Sequence, residues 1–233
     1  MSKPILILSM TTLLSAGAAW ASGGGSMPMG GGSGSMGGGS SSTPHMSPAQ
    51  MAASHYNDGL KQQQKADEYN KEAEGTEDAK KRAKTEASAQ KYYEKARDSY
   101  QSALRLDSTL FQAYGALGYV LRRLGDYDGS LASYAHALEI QPGYSPAIEY
   151  RGEAFLGLNK IEEAKAAYMT LFNSDRTRAT ELSNAMSKWL TARRADPAGV
   201  DTQTIEDFST WLTQRLELAK QTAALLAPKG NRW

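Results

Sequence analysis

The sequence predicts an all-α protein built from stacked helical hairpins, with a long hairpin on its amino-terminal side and a helical cap on its carboxy-terminal side. Three observations predict it. Leu117, Leu121 and Leu124 recur three and four apart, the spacing of one helix face, and Leu131, Tyr134, Ala135 and Leu138 form a second such stripe. Gly125-Asp126 separates the two stripes and Pro142 closes the second, as a left-handed glycine stop and a helix breaker do. The pattern then returns 34 residues later, through Ile148, Gly152, Phe155, Leu158, Ala164, Tyr168 and Leu171.

The chain begins with Lys3 and an apolar run from Ile5 to Ala19, followed by Ala19-Trp20-Ala21, a small-x-small cleavage pattern. Residues 1–21 resemble a Sec-type signal peptide, and the run is short for a membrane span. The expectation is an exported protein, in the periplasm of a two-membrane bacterium; an uncleaved anchor is the competing reading. The sequence has no cysteine, so neither a lipidated cysteine nor a disulfide enters the argument.

Residues 22–47 are rich in Gly, Ser and Met and read as a flexible linker that cannot bury enough surface to offset its chain entropy. Its methionines raise an alternative. Met27, Met29 and Met36, with His45, offer soft thioether and imidazole ligands of the kind that hold cuprous copper. On that reading the protein handles metal and its repeats dock a recipient. Glycine spacers fix no geometry, and the plain linker remains the simpler account.

Residues 48–110 read as a long divergent hairpin, with helices near 48–74 and 77–107. Between Leu60 and Leu104 there is no Leu, Ile, Val, Met, Phe or Trp. Ala66, Tyr69 and Ala73, then Ala79, Ala83, Ala87, Tyr93 and Ala96, are left to form the seam. Ten basic and nine acidic residues over 61–98 make the remaining surface a mixed, solvated one. Gly75-Thr76-Glu77-Asp78 reads as a helix stop followed by an N-cap and an acidic first turn. Either this hairpin caps the repeats or it is an extended binding arm.

Residues 111–144 come next, reading Tyr114-x-x-Leu117-Gly118-x-x-Leu121, Gly125-Asp126-Tyr127, Ser130-x-x-x-Tyr134, Ala137-Leu138 and Pro142. Gly118 removes a side chain, so a neighbouring helix can approach closely. This stretch resembles a tetratricopeptide repeat, whose pattern runs W-x-x-L-G-x-x-Y, then A-x-x-x-F, then A and a closing P. Residues 145–178 form a looser copy, with Arg151 at a leucine position, Asn159 for the turn glycine and Arg176 for the closing proline. One repeat upstream, Tyr93, Ala96, Tyr100, Ala103 and Leu104 match a second helix. Lys80, Ala83, Lys84 and Ala87 do not match a first.

The resemblance implies a right-handed superhelix whose first helices line a concave groove that binds a protein or peptide partner without chemistry. Carried onto this sequence, it turns Tyr119, Arg122 and Arg123 toward the groove from one copy, and Glu149, Tyr150 and Glu153 from the next. The alternative for the two glutamates is that they pair with the arginines across the groove. The Lys and Asn pattern that holds chaperone tails in the family is not met, because Gly115 and Tyr119 occupy two of its places.

Residues 179–233 hold a helical cap. Helices are expected over 176–195, lined by Leu182, Met186, Trp189 and Leu190, and over 202–227, lined by Ile205, Phe208, Trp211, Leu212, Arg215 and Leu216. Such units shield the last apolar face of an array; a homodimer contact through Trp189 or Trp211 is the sharper alternative. No catalytic motif accompanies these elements. His45, His55 and His136 are scattered, and Ser88-Ala89-Gln90-Lys91 matches Ser-x-x-Lys without companion motifs. The reading is therefore not an enzyme, with no cofactor. A net charge of +1 and a pI near 7.8 give no global field for nucleic acid or anionic lipid, and Lys80-Lys81-Arg82-Ala83-Lys84 is bordered by Glu77, Asp78 and Glu86.

Overall fold

A computed structural model of the chain describes residues 46–226. The signal-like segment, and Met27, Met29, Met36 and His45 of the linker, lie outside them. Eight helices follow one another among the described residues: α1 (Pro48–Glu74), α2 (Ala79–Leu106), α3 (Phe111–Arg123), α4 (Tyr127–Ile140), α5 (Ser145–Gly157), α6 (Ile161–Ser174), α7 (Arg176–Ala195) and α8 (Thr202–Leu226). They pair as four hairpins. The odd-numbered helices also pack on one another, α1 on α3, α3 on α5 and α5 on α7, and so make one continuous layer. None of the described helices is long and apolar enough to cross a membrane.

The α1/α2 hairpin shows how a seam without branched aliphatics is built. Ala52, Gly59, Ala66 and Ala73 are buried on α1, facing Thr85, Ala89, Tyr93, Ala96, Tyr100 and Ala103 on α2. Small residues let the backbones approach, and tyrosines fill what remains. Tyr56 lies 5.8 Å from Tyr100, whose hydroxyl donates to Gln63 Oε1 at 2.7 Å. On the wet side Tyr69 stacks on Tyr92 at 5.5 Å, with Lys65 and Lys95 beside the outer ring.

The expected seam on α2 needs correction at its start. Ala79, Ala83 and Ala87 are exposed, and Thr85 and Ala89 are buried in their place. Ala87 and Tyr93 are six residues apart, which on a helix of 3.6 residues per turn is a rotation of roughly 240° from one face. Counting back from Tyr93 in fours reaches Ala89 and Thr85. The cap of α2 is Asp78, which accepts from the Lys81 amide at 2.8 Å, so the helix starts two residues later than expected and Glu77 and Asp78 precede its first turn.

The two repeats share one turn, displaced by the repeat length. After α3, Gly125 takes φ +85 and the Asp126 amide donates to Leu121 O at 2.9 Å. After α5, Asn159 takes φ 57 and the Lys160 amide donates to Phe155 O at 2.8 Å. Glycine enters the left-handed region at little cost, and asparagine is among the residues that follow it there. Asn159 also does what glycine cannot: its Oδ1 accepts from Arg193 Nε at 3.2 Å and its amide nitrogen reaches Ala198 O at 3.5 Å. The looser copy thus replaces the turn glycine with a residue that ties the α7–α8 loop to the α5–α6 turn.

Two repeat glycines stand where helices meet closely. A Cβ on Gly118 would lie 2.6 Å from the Tyr134 ring, and one on Gly152 would lie 2.7 Å from Leu182 of α7. Where Arg176 replaces the closing proline there is almost no loop. Asp175 ends α6 and caps α7, accepting from the Arg178 amide at 3.1 Å and from Ser145 Oγ at 2.7 Å.

The cap is a true core. Leu182, Met186, Trp189, Ile205, Phe208 and Leu212 are buried with Tyr168, Leu171 and Leu156 of the preceding repeat. Trp189 is 1% exposed, and its Nε1 donates to Leu156 O at 2.8 Å. Trp189 therefore presents no surface for a homodimer, because it is the bolt between α5 and the cap. Trp211 is half-buried against Phe208 and Tyr168. Asp201 caps α8, accepting from the Thr204 amide at 2.8 Å.

A methyl group at Gly118 has no room unless Tyr134 moves. Gly118→Ala is expected to cost about 1–3 kcal/mol, the usual range for overpacking a filled interior. The loss should appear as a lowered thermal midpoint by circular dichroism with helix content retained at low temperature.

Candidate functional site

All six residues assigned to the groove lie on α3 and α5 of the odd-helix layer, where some pair with one another and others with residues outside the set. Arg122, on the last turn of α3, places a guanidinium nitrogen 2.7 Å from Glu153 Oε2 on α5. Both side chains are almost fully buried, at 6% and 0% exposure. The guanidinium lies 5.5 Å from the Tyr119 ring centre and 5.9 Å from that of Tyr150, and the two rings are 5.3 Å apart. The pair is made by proximity, since neither Glu153 oxygen nor Arg122 Nε has an aligned hydrogen bond.

Equivalent connections lie on either side. Toward the amino terminus, Tyr119 and Tyr93 both donate to Asp67 Oδ1 of α1, Tyr119 at 2.7 Å. Arg123 Nε and Asn70 Nδ2 in turn donate to the Tyr93 oxygen, at 3.1 and 2.7 Å. Toward the carboxy terminus, Arg178 of α7 donates to Glu149 Oε2 at 2.6 Å, with its guanidinium 5.9 Å from Tyr150. Each successive pair of odd helices is thus linked by a charged or hydrogen-bonded rung, and tyrosine rings pack edge-on or tilted between rungs.

Of the six, Tyr119, Arg122, Glu149, Tyr150 and Glu153 are buried and Arg123 is half-buried. They form the floor of this face and do not project from it. Glu153 pairs with an arginine of the set, but Glu149 takes Arg178, which was not assigned to the groove. Asp67 and Tyr93 are likewise additions. Asp67 lies in a helix full of charges, where nothing in the sequence separates it from its neighbours. Arg178 follows the N-cap at Asp175, in a stretch where the second copy has lost its closing pattern.

The electrostatics follow from burial. Burial pushes the Asp67 carboxyl up, against the hydrogen bonds from Tyr93 and Tyr119 that favour its charged form. Burial pushes the Tyr93 and Tyr150 hydroxyls up to about 12 and Tyr119 well above its usual range, so the three stay protonated donors. Burial works against the Arg122 charge, yet Glu153 and nearby hydroxyls hold its pKa above the ordinary value. Glu149 stands apart: burial pushes its carboxyl from 4.5 up to about 7, with Arg178 opposing.

This arrangement can hold a rigid surface; it assembles no catalytic set. His136 stands on α4 beside Tyr114 and Glu139, and His55 is exposed on α1. Among the described residues no three His, Cys, Asp or Glu side chains are grouped to hold a metal ion.

A family model described as tetratricopeptide repeat matches residues 111–144, the α3/α4 hairpin and its flanks. The chain carries a tetratricopeptide repeat. Tetratricopeptide repeat protein 17 of Rattus norvegicus and of Homo sapiens are each 40% identical to it over 57 residues. That match spans 24% of this chain and 5% of the relative's length. Among solved structures, the first repeat domain of Spaghetti (RPAP3), bound to the HSP90 peptide SRMEEVD, superposes with a TM-score of 0.41 at 20% identity, covering 59% of this chain and 94% of that one. YrrB, described as a repeat protein with an unusual peptide-binding site, gives 0.39 at 16% identity, covering 74% and 92%. The matched repeat contributes Tyr119, Arg122 and Arg123 to the floor, and it is the hairpin on which the rungs to α1 and α5 converge.

Two outcomes follow from the rungs. Arg122→Ala leaves Glu153 buried and unpaired, at an expected cost of about 3–5 kcal/mol, whereas Arg122→Met with Glu153→Leu should recover most of it; urea unfolding of the three proteins measures both. Glu149 carries a raised pKa, so its contribution to stability is complete below about 4.5 and is lost as pH rises through about 7. At about 1.4 kcal/mol per pKa unit, that slope is large enough to read in urea midpoints between pH 4.5 and 7.5. Glu149→Gln is expected to flatten it and to raise the midpoint at pH 7.5.

Proposed function

We propose that this protein is an exported, non-catalytic scaffold that takes a protein or peptide partner on the face formed by α1, α3, α5 and α7. The observation that carries the reading is the set of rungs along that face, on a chain with a tetratricopeptide repeat at its centre. A face cross-linked at every joint is already in its binding shape, and little further ordering entropy opposes association. Its buried floor of Tyr119, Tyr150 and Arg122 holds that shape from beneath. Arg178, with 23% of its side chain exposed, and half-buried Arg123 are the cations nearest an incoming ligand.

Export rests on the Lys3, apolar run and Ala19-Trp20-Ala21 pattern, which would leave residues 22–47 as a tether ahead of the helices. The partner would then be an envelope protein, and the scaffold an adaptor or assembly factor.

The test places a photo-crosslinking amino acid at one position per variant and leaves every rung intact. Glu181, on α7 and close enough to act on the Glu149 carboxyl, reports the odd-helix face. Ala132, exposed on α4, reports the opposite layer. Irradiation in living cells is expected to give a discrete protein adduct from Glu181 and none from Ala132. Identical adducts from both positions, or none from Glu181, would defeat the proposal.

A further inference from the structure

A second feature lies in the cap, away from the odd-helix face and independent of its reading. A slot of about 310 Å³ is floored by α7 and walled by α6 and α8. Helix α8 is buried at Ile205, Phe208 and Leu212, only half-buried at Leu216 and Ala219, and exposed from Ala223 to Leu225, so the slot opens toward the end of that helix. Phe208 is buried and Trp211 lies edge-on to Tyr168 at 5.6 Å, whereas Ala223 is exposed and Leu225 is 83% exposed. Tyr168, Phe172, Leu216 and Ala219 give the slot its apolar walls, and Ala179 and Ser183 its narrow floor.

The charge around this slot has one sign. No acidic side chain lines it, and its single charged lining residue is Arg176. The Arg176 guanidinium lies 3.5 Å from the Phe172 ring centre. Arg215, next to the lining residue Leu216, lies 5.9 Å from the Trp211 ring, and its Nε is buried with no hydrogen-bond partner. Neither arginine makes an ion pair among the described residues. A buried guanidinium N–H without an acceptor is costly, and a carboxylate is the group whose geometry best matches it.

We propose that the slot between α6, α7 and α8 binds a small amphiphile with an apolar body and one carboxylate. The body lies between Phe172 and Leu216, Arg176 takes the carboxylate, and Arg215, beside the lining residue Leu216, adds positive potential. The volume stands at the lower end of ligand pockets, roughly 300–1,000 Å³, which fits a medium-chain acid and is too small for a phospholipid. The slot walls supply affinity through burial; the arginines supply the choice of head group.

Isothermal titration of the full chain with decanoate, and separately with decanol, tests this. Decanoate is expected to bind saturably, one per chain. Arg176→Gln should weaken it by about tenfold, the scale of one lost charge-assisted contact, and Arg215→Gln by less, each leaving decanol unchanged. Ala219→Phe, which fills the slot, should abolish both. Thermal melts establish that each variant is folded, and should Ala219→Phe fail to fold, the decanoate–decanol comparison on the two arginine variants decides alone. Absence of saturable decanoate binding overturns the proposal. So does equal decanoate affinity in the two arginine variants and the unaltered chain.

Discussion

Each joint between consecutive odd-numbered helices contains a polar rung, and the central and fully buried one, Arg122 with Glu153, constrains the others. A charge withdrawn from water costs several kcal/mol, and its partner offsets that cost only in one alignment. Slipping α5 by a turn against α3 would strand both charges and unstack Arg122 from Tyr119 and Tyr150. Apolar packing between small-residue helices tolerates such slips far better. The rung therefore sets register, and an aliphatic pair of similar volume would supply comparable stability without that choice. Tyr119 then fixes α1 through Asp67, and Glu149, one helical turn from Glu153, fixes α7 through Arg178.

Tyrosine is the second theme. The amino-terminal hairpin has almost no aliphatic side chains in its seam, and its rings serve as core on one edge and as hydrogen-bond donors on the other. Tyr93 packs between α1 and α2 while its oxygen meets Asp67, Asn70 and Arg123. Phenylalanine would fill the same volume and leave Asp67 short of a donor. This is why alanine and tyrosine together can replace leucine here: alanine brings the backbones close, and tyrosine satisfies the polar groups that closeness buries.

Much of this architecture was legible in the sequence because its signals are local. Stripes at three and four, Gly125 and Pro142 place the helices without reference to anything distant. The seam of α2 was misread where alanine, compatible with either a buried or an exposed face, was the only guide; the phase of Tyr93 and Tyr100 was the better one. The six floor residues could be gathered onto one face from the repeat alone. What could not be read was how they are satisfied. Pairing of Glu149 with Arg178, or of Tyr119 with Asp67, depends on contacts 29 and 52 residues apart between helices whose separation no spacing encodes.

The turn at Asn159 bears on how such an array changes over time. A glycine turn, as at Gly125, makes no side-chain commitment, and a hairpin beyond it can be duplicated or lost with its neighbours unaware. Asn159 instead grips Arg193 and Ala198 of the following hairpin, and Asp175 serves two helices and Ser145 at once. A copy inserted after α6 would break all of these together. The carboxy-terminal end of this molecule has ceased to be an interchangeable unit, so lineages that descend from it should vary in side chains at a fixed number of hairpins.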